Sequence, residues 1–96
     1  MTVELKRQDF MADAVAGLAF ELPDGGRLAL TVAELRNLPP ISSRKEPFAV
    51  VLQGPANPAY AQGIVPMLHP VHGRCDVFAV PIARDARMTQ YELIFN

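Results

Sequence analysis

The sequence predicts a mainly β fold: a small antiparallel β-barrel or sandwich of six to seven strands with a short N-terminal helix. Three observations carry this. Nine prolines and six glycines punctuate the 96 residues and leave pieces too short for long helices. Most pieces are rich in Val, Ile, Leu and Phe and alternate with period two, the pattern of half-buried strands. Turn signals recur at roughly 8–12 residues, the spacing of sandwiches and barrels, and the short connections favour antiparallel pairing.

The helix comes first. Asp9 is placed to cap a helix running through Gly17, with Phe10, Val15 and Leu18 on its apolar side. Ala12, Ala14 and Ala16 favour the helix and Gly17 is a natural stop. Leu18–Leu22 reads as a strand, Pro23-Asp24-Gly25-Gly26 as a tight reversal, and Arg27–Val32 as the returning strand of a hairpin. Thr31–Leu38 is ambiguous. Thr31 and Glu34 have capping-box spacing, while strand continuation competes. Pro39-Pro40 ends the element either way, and Ile41–Glu46 is a polar, exposed loop.

Pro47–Gln53 is a strand with Phe48, Val50 and Leu52 on one face and Ala49 and Val51 on the other. Apolar residues on both faces predict a central position. Gly54–Pro58 is a loop. Tyr60–Leu68 is extended, but Pro66 removes a ladder donor, which places this strand at an edge or a bulge. His69–Gly73 is a turn, Arg74–Ile82 an apolar strand and Ala83–Met88 a polar turn. Thr89–Asn96 is the last strand, so the C-terminal residues are expected to join the sheet.

Length and composition bound the function. The 96 residues make one β domain over 1–96, and 50% are hydrophobic against 20% charged, a balance that fits a folded globule. Nine basic and ten acidic side chains give a net charge of −1. No basic run exceeds Arg44-Lys45 and there is no tryptophan, so no nucleic-acid partner is expected. No stretch approaches the ~18 apolar residues of a membrane helix, and the first residues lack a signal-peptide core. The expectation is a cytoplasmic protein with no membrane partner. The single cysteine, Cys75, excludes an internal disulfide and a cysteine-based zinc cluster.

Candidate chemistry is sparse. His69 and His72, with Cys75 and Asp76 nearby, are the one group resembling metal ligands. Pro70 disrupts helical spacing between the histidines, and on a strand Cys75 and Asp76 face opposite ways. The expectation is therefore no metal and no cofactor, and a polar turn in which His69 satisfies neighbouring strand ends. A Cys75–His pair lacks an orienting third group. Ser42 and Ser43 lack nucleophile-elbow glycines. Asp76, Asp85 and Glu92 read as solvated charges rather than paired acid–base carboxylates. Gly25-Gly26 has no following lysine and sits in a hairpin, unlike a phosphate loop. No catalytic residue is assigned. The binding candidates are Tyr60, Gln62, His69 and Arg74. The aromatic and the arginine are types enriched in interfaces. Gln62 beside Gly63 presents an amide to a ligand, or bonds backbone across a bulge.

The second half carries a wider pattern: Glu46-Pro47-Phe48, Leu52, Gly54-Pro55, Gln62-Gly63, His69-Pro70, Gly73, Phe78, Pro81, Tyr91-Glu92 and Phe95-Asn96. Phe10, Gly17, Phe20, Leu28 and Leu30 precede it. Together they resemble a small uncharacterised bacterial family of about this length, catalogued as a domain of unknown function, with Pro66 departing from its pattern. The resemblance implies no assigned activity and no catalytic residues to carry over. Genes of this type lie near proteins resembling phage-tail collar or tail-fibre proteins, which implies a structural or accessory role. The resulting expectation is a non-catalytic structural or protein-interaction module. It would be an accessory to a phage-tail-like or surface assembly, acting through a protein partner or as a homo-oligomer. The alternative is a small-ligand-binding β-barrel with Gln62, His69 and Arg74 as polar contacts.

Overall fold

The computed structural model describes residues 5–11, 16–39 and 47–95. Among the described residues, seven strands follow a 3-10 turn at Arg7–Phe10: β1 Ala19–Glu21, β2 Arg27–Ala29, β3 Thr31–Asn37, β4 Phe48–Pro55, β5 Gly63–His69, β6 Gly73–Arg84 and β7 Met88–Phe95. They form one sheet in the order β2-β1-β5-β6-β7-β4-β3. Every pairing is antiparallel. The sheet curls into a half-barrel around the buried side chains of both halves.

Two corners produce the curl. The first lies in β6, which pairs with β5 through Gly73–Ala79 and with β7 from Val80 to Arg84. A register shift between Pro81 and Ala83 marks a bulge there, which bends and twists a strand. The second lies at Leu30, a single residue between β2 and β3. The two terminal strands of the sheet are thus one extended segment that turns a corner. Gly54 on β4 sits against this corner. A Cβ there would stand 2.7 Å from a methyl of Leu28 and 3.4 Å from the Ala29 carbonyl, so the close approach requires glycine.

The β1–β2 hairpin forms as its turn chemistry predicts. Gly25 adopts φ 87°, Leu22 and Gly26 share a backbone bond of 2.8 Å, and Asp24 accepts from the Gly26 N–H at 2.8 Å. The ambiguous Thr31–Leu38 segment is strand. β4 is internal, with Phe48, Val50 and Leu52 facing the core and Ala49 and Val51 buried on the other side. That second face is covered by ion pairs. Glu34 on β3 and Glu92 on β7 both lie opposite Val51, and Arg36 bonds Glu92 at 2.7 Å and Glu34 at 3.4 Å across it. The arginine stem shields apolar surface while its head stays wet.

Two expectations fail. The helix expected to be capped by Asp9 does not begin there. The 3-10 turn ends at Phe10, and Met11 is already extended at φ −78°, ψ 157°. The Asp9 carboxylate closes the turn by accepting the Lys6 N–H at 2.8 Å, so it serves the preceding residues instead of capping the following ones. Gly17, at φ 89°, stands in a turn before β1. Residues 12–15, like the predicted polar loop Ile41–Glu46 and the last residue Asn96, lie outside the described residues. Nor is the Pro66 strand a sheet edge: β5 lies between β1 and β6. The proline is tolerated because β1 pairs only with Met67 and Leu68. The ladder on that side stops one residue short of it.

Aromatic side chains close both ends of the half-barrel. At one end Phe10 packs on Phe95 (5.7 Å between ring centres), Phe48 (5.9 Å) and His69 (6.2 Å). At the other, Phe20 meets Tyr91 at 5.2 Å and Tyr60 at 5.8 Å. Phe10 is fully buried. Phe10→Ala should therefore cost about 3–5 kcal/mol, read as a lower urea midpoint at unchanged m-value.

Candidate functional site

The polar side chains with the most internal partners gather where the 3-10 turn meets the β5–β6 hairpin. Pro70 fixes one backbone angle of that hairpin loop, and Gly73 supplies the left-handed residue at φ 73°. His69, the last residue of β5, is buried. Its Nε2–H donates to the Asp9 carbonyl at 2.7 Å. Its Nδ1 accepts the N–H groups of Val71 at 3.1 Å and His72 at 3.3 Å. These partners assign the neutral Nε2–H tautomer. His72 Nε2 donates to Asp9 Oδ1 at 2.9 Å, and Lys6 N–H occupies Asp9 Oδ2.

Burial raises the Asp9 carboxyl. The Lys6 N–H bond, then the hydrogen bond and electrostatic attraction of His72, together outweigh it, so the pKa is lowered overall. Cys75 lies nearby in the core, its thiol directed weakly at the Gly73 carbonyl at 3.7 Å. Burial first, then Asp9 and Asp76, push that thiol up, away from the thiolate form a nucleophile needs. Among the described residues, no three His, Cys, Asp or Glu side chains converge as metal ligands would. The cluster fastens the N-terminal turn to the hairpin, and both ring nitrogens of His69, Nε2 of His72 and the Asp9 carboxylate are engaged in that task.

The four binding candidates do not form one site. Tyr60 lies at the opposite end of the half-barrel from His69. Its N–H donates to the Tyr91 hydroxyl at 3.0 Å and its own hydroxyl donates to the Glu21 carbonyl. Burial, then Glu21, Asp24 and Tyr91, raise its pKa. Arg74 is on the outer face of β6, loosely paired with Glu21 at 3.8 Å and Asp76 at 4.0 Å. Gln62 is exposed just before β5. Tyr60 and Arg74 thus share Glu21, one through its backbone and one through its carboxylate.

The outer face holds what single-residue reasoning missed. Ile64 on β5 and Phe78 on β6 are direct cross-strand partners, and both point to solvent, as do Ile82 and Ile94. The signal was parity. Cys75, Val77 and Ala79 are buried, so Phe78 shares the opposite face with Arg74 and Asp76. Asp9 was legible only as a helix cap, and its role as the histidines' acceptor needed the contact between distant segments.

A family model described as a domain of unknown function, DUF6916, matches residues 5–95. The chain belongs to that family. The match takes in the 3-10 turn and all seven strands, so the DUF6916 unit includes both the Asp9–histidine cluster and the outer face. No curated protein and no solved structure matches the chain. Among the described residues, no helix is long and apolar enough to cross a membrane.

Two outcomes follow from the cluster. His69→Ala strands the Asp9 carbonyl and two N–H groups and leaves a cavity. It should lose about 2–4 kcal/mol by chemical denaturation. His69→Asn, which can still accept in the loop, should lose less. Because the Asp9 pKa is lowered on folding, its stabilisation is present above the unfolded value near ~3.9 and is lost as pH falls through the folded value. Asp9→Asn should therefore lower stability at neutral pH and flatten its fall as pH drops below about 4, measured by urea midpoints across the acid range.

Proposed function

We propose that this domain is a non-catalytic protein-interaction module working through the outer face of its curled sheet. The carrying observation is the exposed cross-strand pair of Ile64 and Phe78 on the outer face of β5 and β6. Contiguous exposed apolar surface on a small domain marks an interaction site. Two features support the reading. The interior positions are taken by Tyr91, Phe20, Phe48, Leu52 and Met67, all fully buried, which leaves little room for the concave pocket of a ligand-binding barrel. The His69, His72 and Asp9 groups are engaged with one another, which argues against acid–base work. On this reading the domain is a cytoplasmic accessory to a larger assembly of the phage-tail-like or surface kind that the family resemblance implies.

A photo-crosslinking amino acid placed at 64 or 78 in producing cells tests it. Covalent protein adducts are expected from both positions and not from 87, on the β6–β7 turn. Equal labelling at all three, or none at 64 and 78, would count against the proposal.

A further inference from the structure

We propose that the cluster of Asp9, His69 and His72 is an acid-tightened latch: His72 takes a proton on mild acidification, and the turn that carries Phe10 is then held more firmly to the β5–β6 hairpin. Histidine is the side chain whose charge changes between about pH 5 and pH 8. Two of them stand here with ring centres 5.0 Å apart, and their bonds give them different roles. His69 is 3% exposed. Its Nε2–H donates to the Asp9 carbonyl at 2.7 Å, and its Nδ1 accepts the N–H groups of Val71 and His72 at 3.1 and 3.3 Å. A proton on that Nδ1 would face two donors and strand both. The His72 side chain is 29% exposed and bonds Asp9 Oδ1 through Nε2 at 2.9 Å. A proton on its Nδ1 disturbs none of the bonds that hold the hairpin loop.

That proton arrives beside a carboxylate that is only 16% exposed. Among the described residues, no lysine or arginine side chain is paired with Asp9. Charging His72 converts a neutral hydrogen bond into a charge-assisted ion pair with little water to screen it. The pair exists when the turn is fastened and is lost when it opens, so each step down in pH that charges the ring adds to the latch. The carboxylate keeps its charge over the same range. Burial raises the Asp9 carboxyl, but the Lys6 N–H bond and His72 lower it overall. The other groups at this end offer no rival cation. Cys75 on β6 is held as the thiol by burial, then by Asp9 and Asp76, and Asp76 lies on the opposite face of that strand. Lys6 is exposed and gives Asp9 its backbone N–H. Phe10, edge-on to His69 at 6.2 Å, carries no charge. Once His72 is charged, a second proton on the neighbouring His69 ring would meet a like charge.

His72→Gln keeps a side-chain N–H for Asp9 and cannot titrate, so it isolates the proton. The unfolding constant of this variant relative to the native chain, from urea midpoints, should rise about threefold between about pH 8 and about pH 5.5. Titrations common to both proteins cancel in that ratio. In an Asp9→Asn background the same substitution should give a ratio that does not change with pH, because the partner charge is gone. Nitrogen-15 spectra of the imidazoles should show His72 gaining its second ring proton while His69 keeps the neutral Nε2–H signature. Far-UV circular dichroism confirms that each variant folds. A ratio that stays flat or falls in acid, a rise that persists without the Asp9 carboxylate, or a proton taken by His69 before His72 would overturn the inference.

Discussion

Phe10 is the side chain on which the two halves of the sheet depend. β6 serves β5 with its first half and β7 with its second, so the halves part beyond Ala79 and the end of the half-barrel opens. Phe10 enters that opening from outside the sheet and touches His69 from one half and Phe48 and Phe95 from the other. A ring in that position must be fixed in direction as well as buried. The backbone carbonyl and carboxylate of the preceding residue, Asp9, do this by binding the two histidines of the β5–β6 loop. A four-residue turn with little intrinsic stability is thus held by tertiary contacts added to its own Asp9–Lys6 bonds.

The opposite end is closed by different means toward the same result. Tyr60, on the connection from β4 to β5, packs on Phe20 and bonds Tyr91 and Glu21. Arg84 reaches the same connection at the Ala56 carbonyl, 2.9 Å away. The seam between first and last strands is handled by continuity, since β2 and β3 are one segment bent at Leu30 against Gly54. A sheet whose two termini are neighbours in sequence leaves little edge for foreign strands. β3 is further guarded by its bulge between Val32 and Glu34 and by the Arg36 ion pairs.

Much of the fold was legible because it is local. Period-two alternation located the strands, and Pro23 through Gly26 specified a hairpin whose register followed. The double-sided apolar pattern of Phe48–Leu52 correctly placed β4 inside the sheet. The failures are equally physical. Asp9 reads as a helix cap, but Phe10 is worth more in the core than on a helix face, and its burial goes with the short turn at Arg7–Phe10. Pro66 signalled an edge, and it does sit beyond the last pairing of β1, yet a strand can be an edge at one residue and central at the next. The His69 bonds to Asp9 span sixty positions, and no local pattern encodes them.

The division of labour between the two faces follows from the same accounting of polar groups. Inside, His69, Thr89 and Tyr91 are buried and each has a hydrogen-bond partner, as burial demands. Outside, alternation along β6 runs Arg74, Asp76 and then Phe78, so a face that begins polar turns apolar at the point where β6 changes partner. Nothing in the core requires a large ring at that position, since Cys75, Val77 and Ala79 already fill the inner side. The exposed pair of Phe78 and Ile64 steadies the sheet by about 0.2–1 kcal/mol as a cross-strand contact, and its outward area is the surface on which the proposed recognition rests.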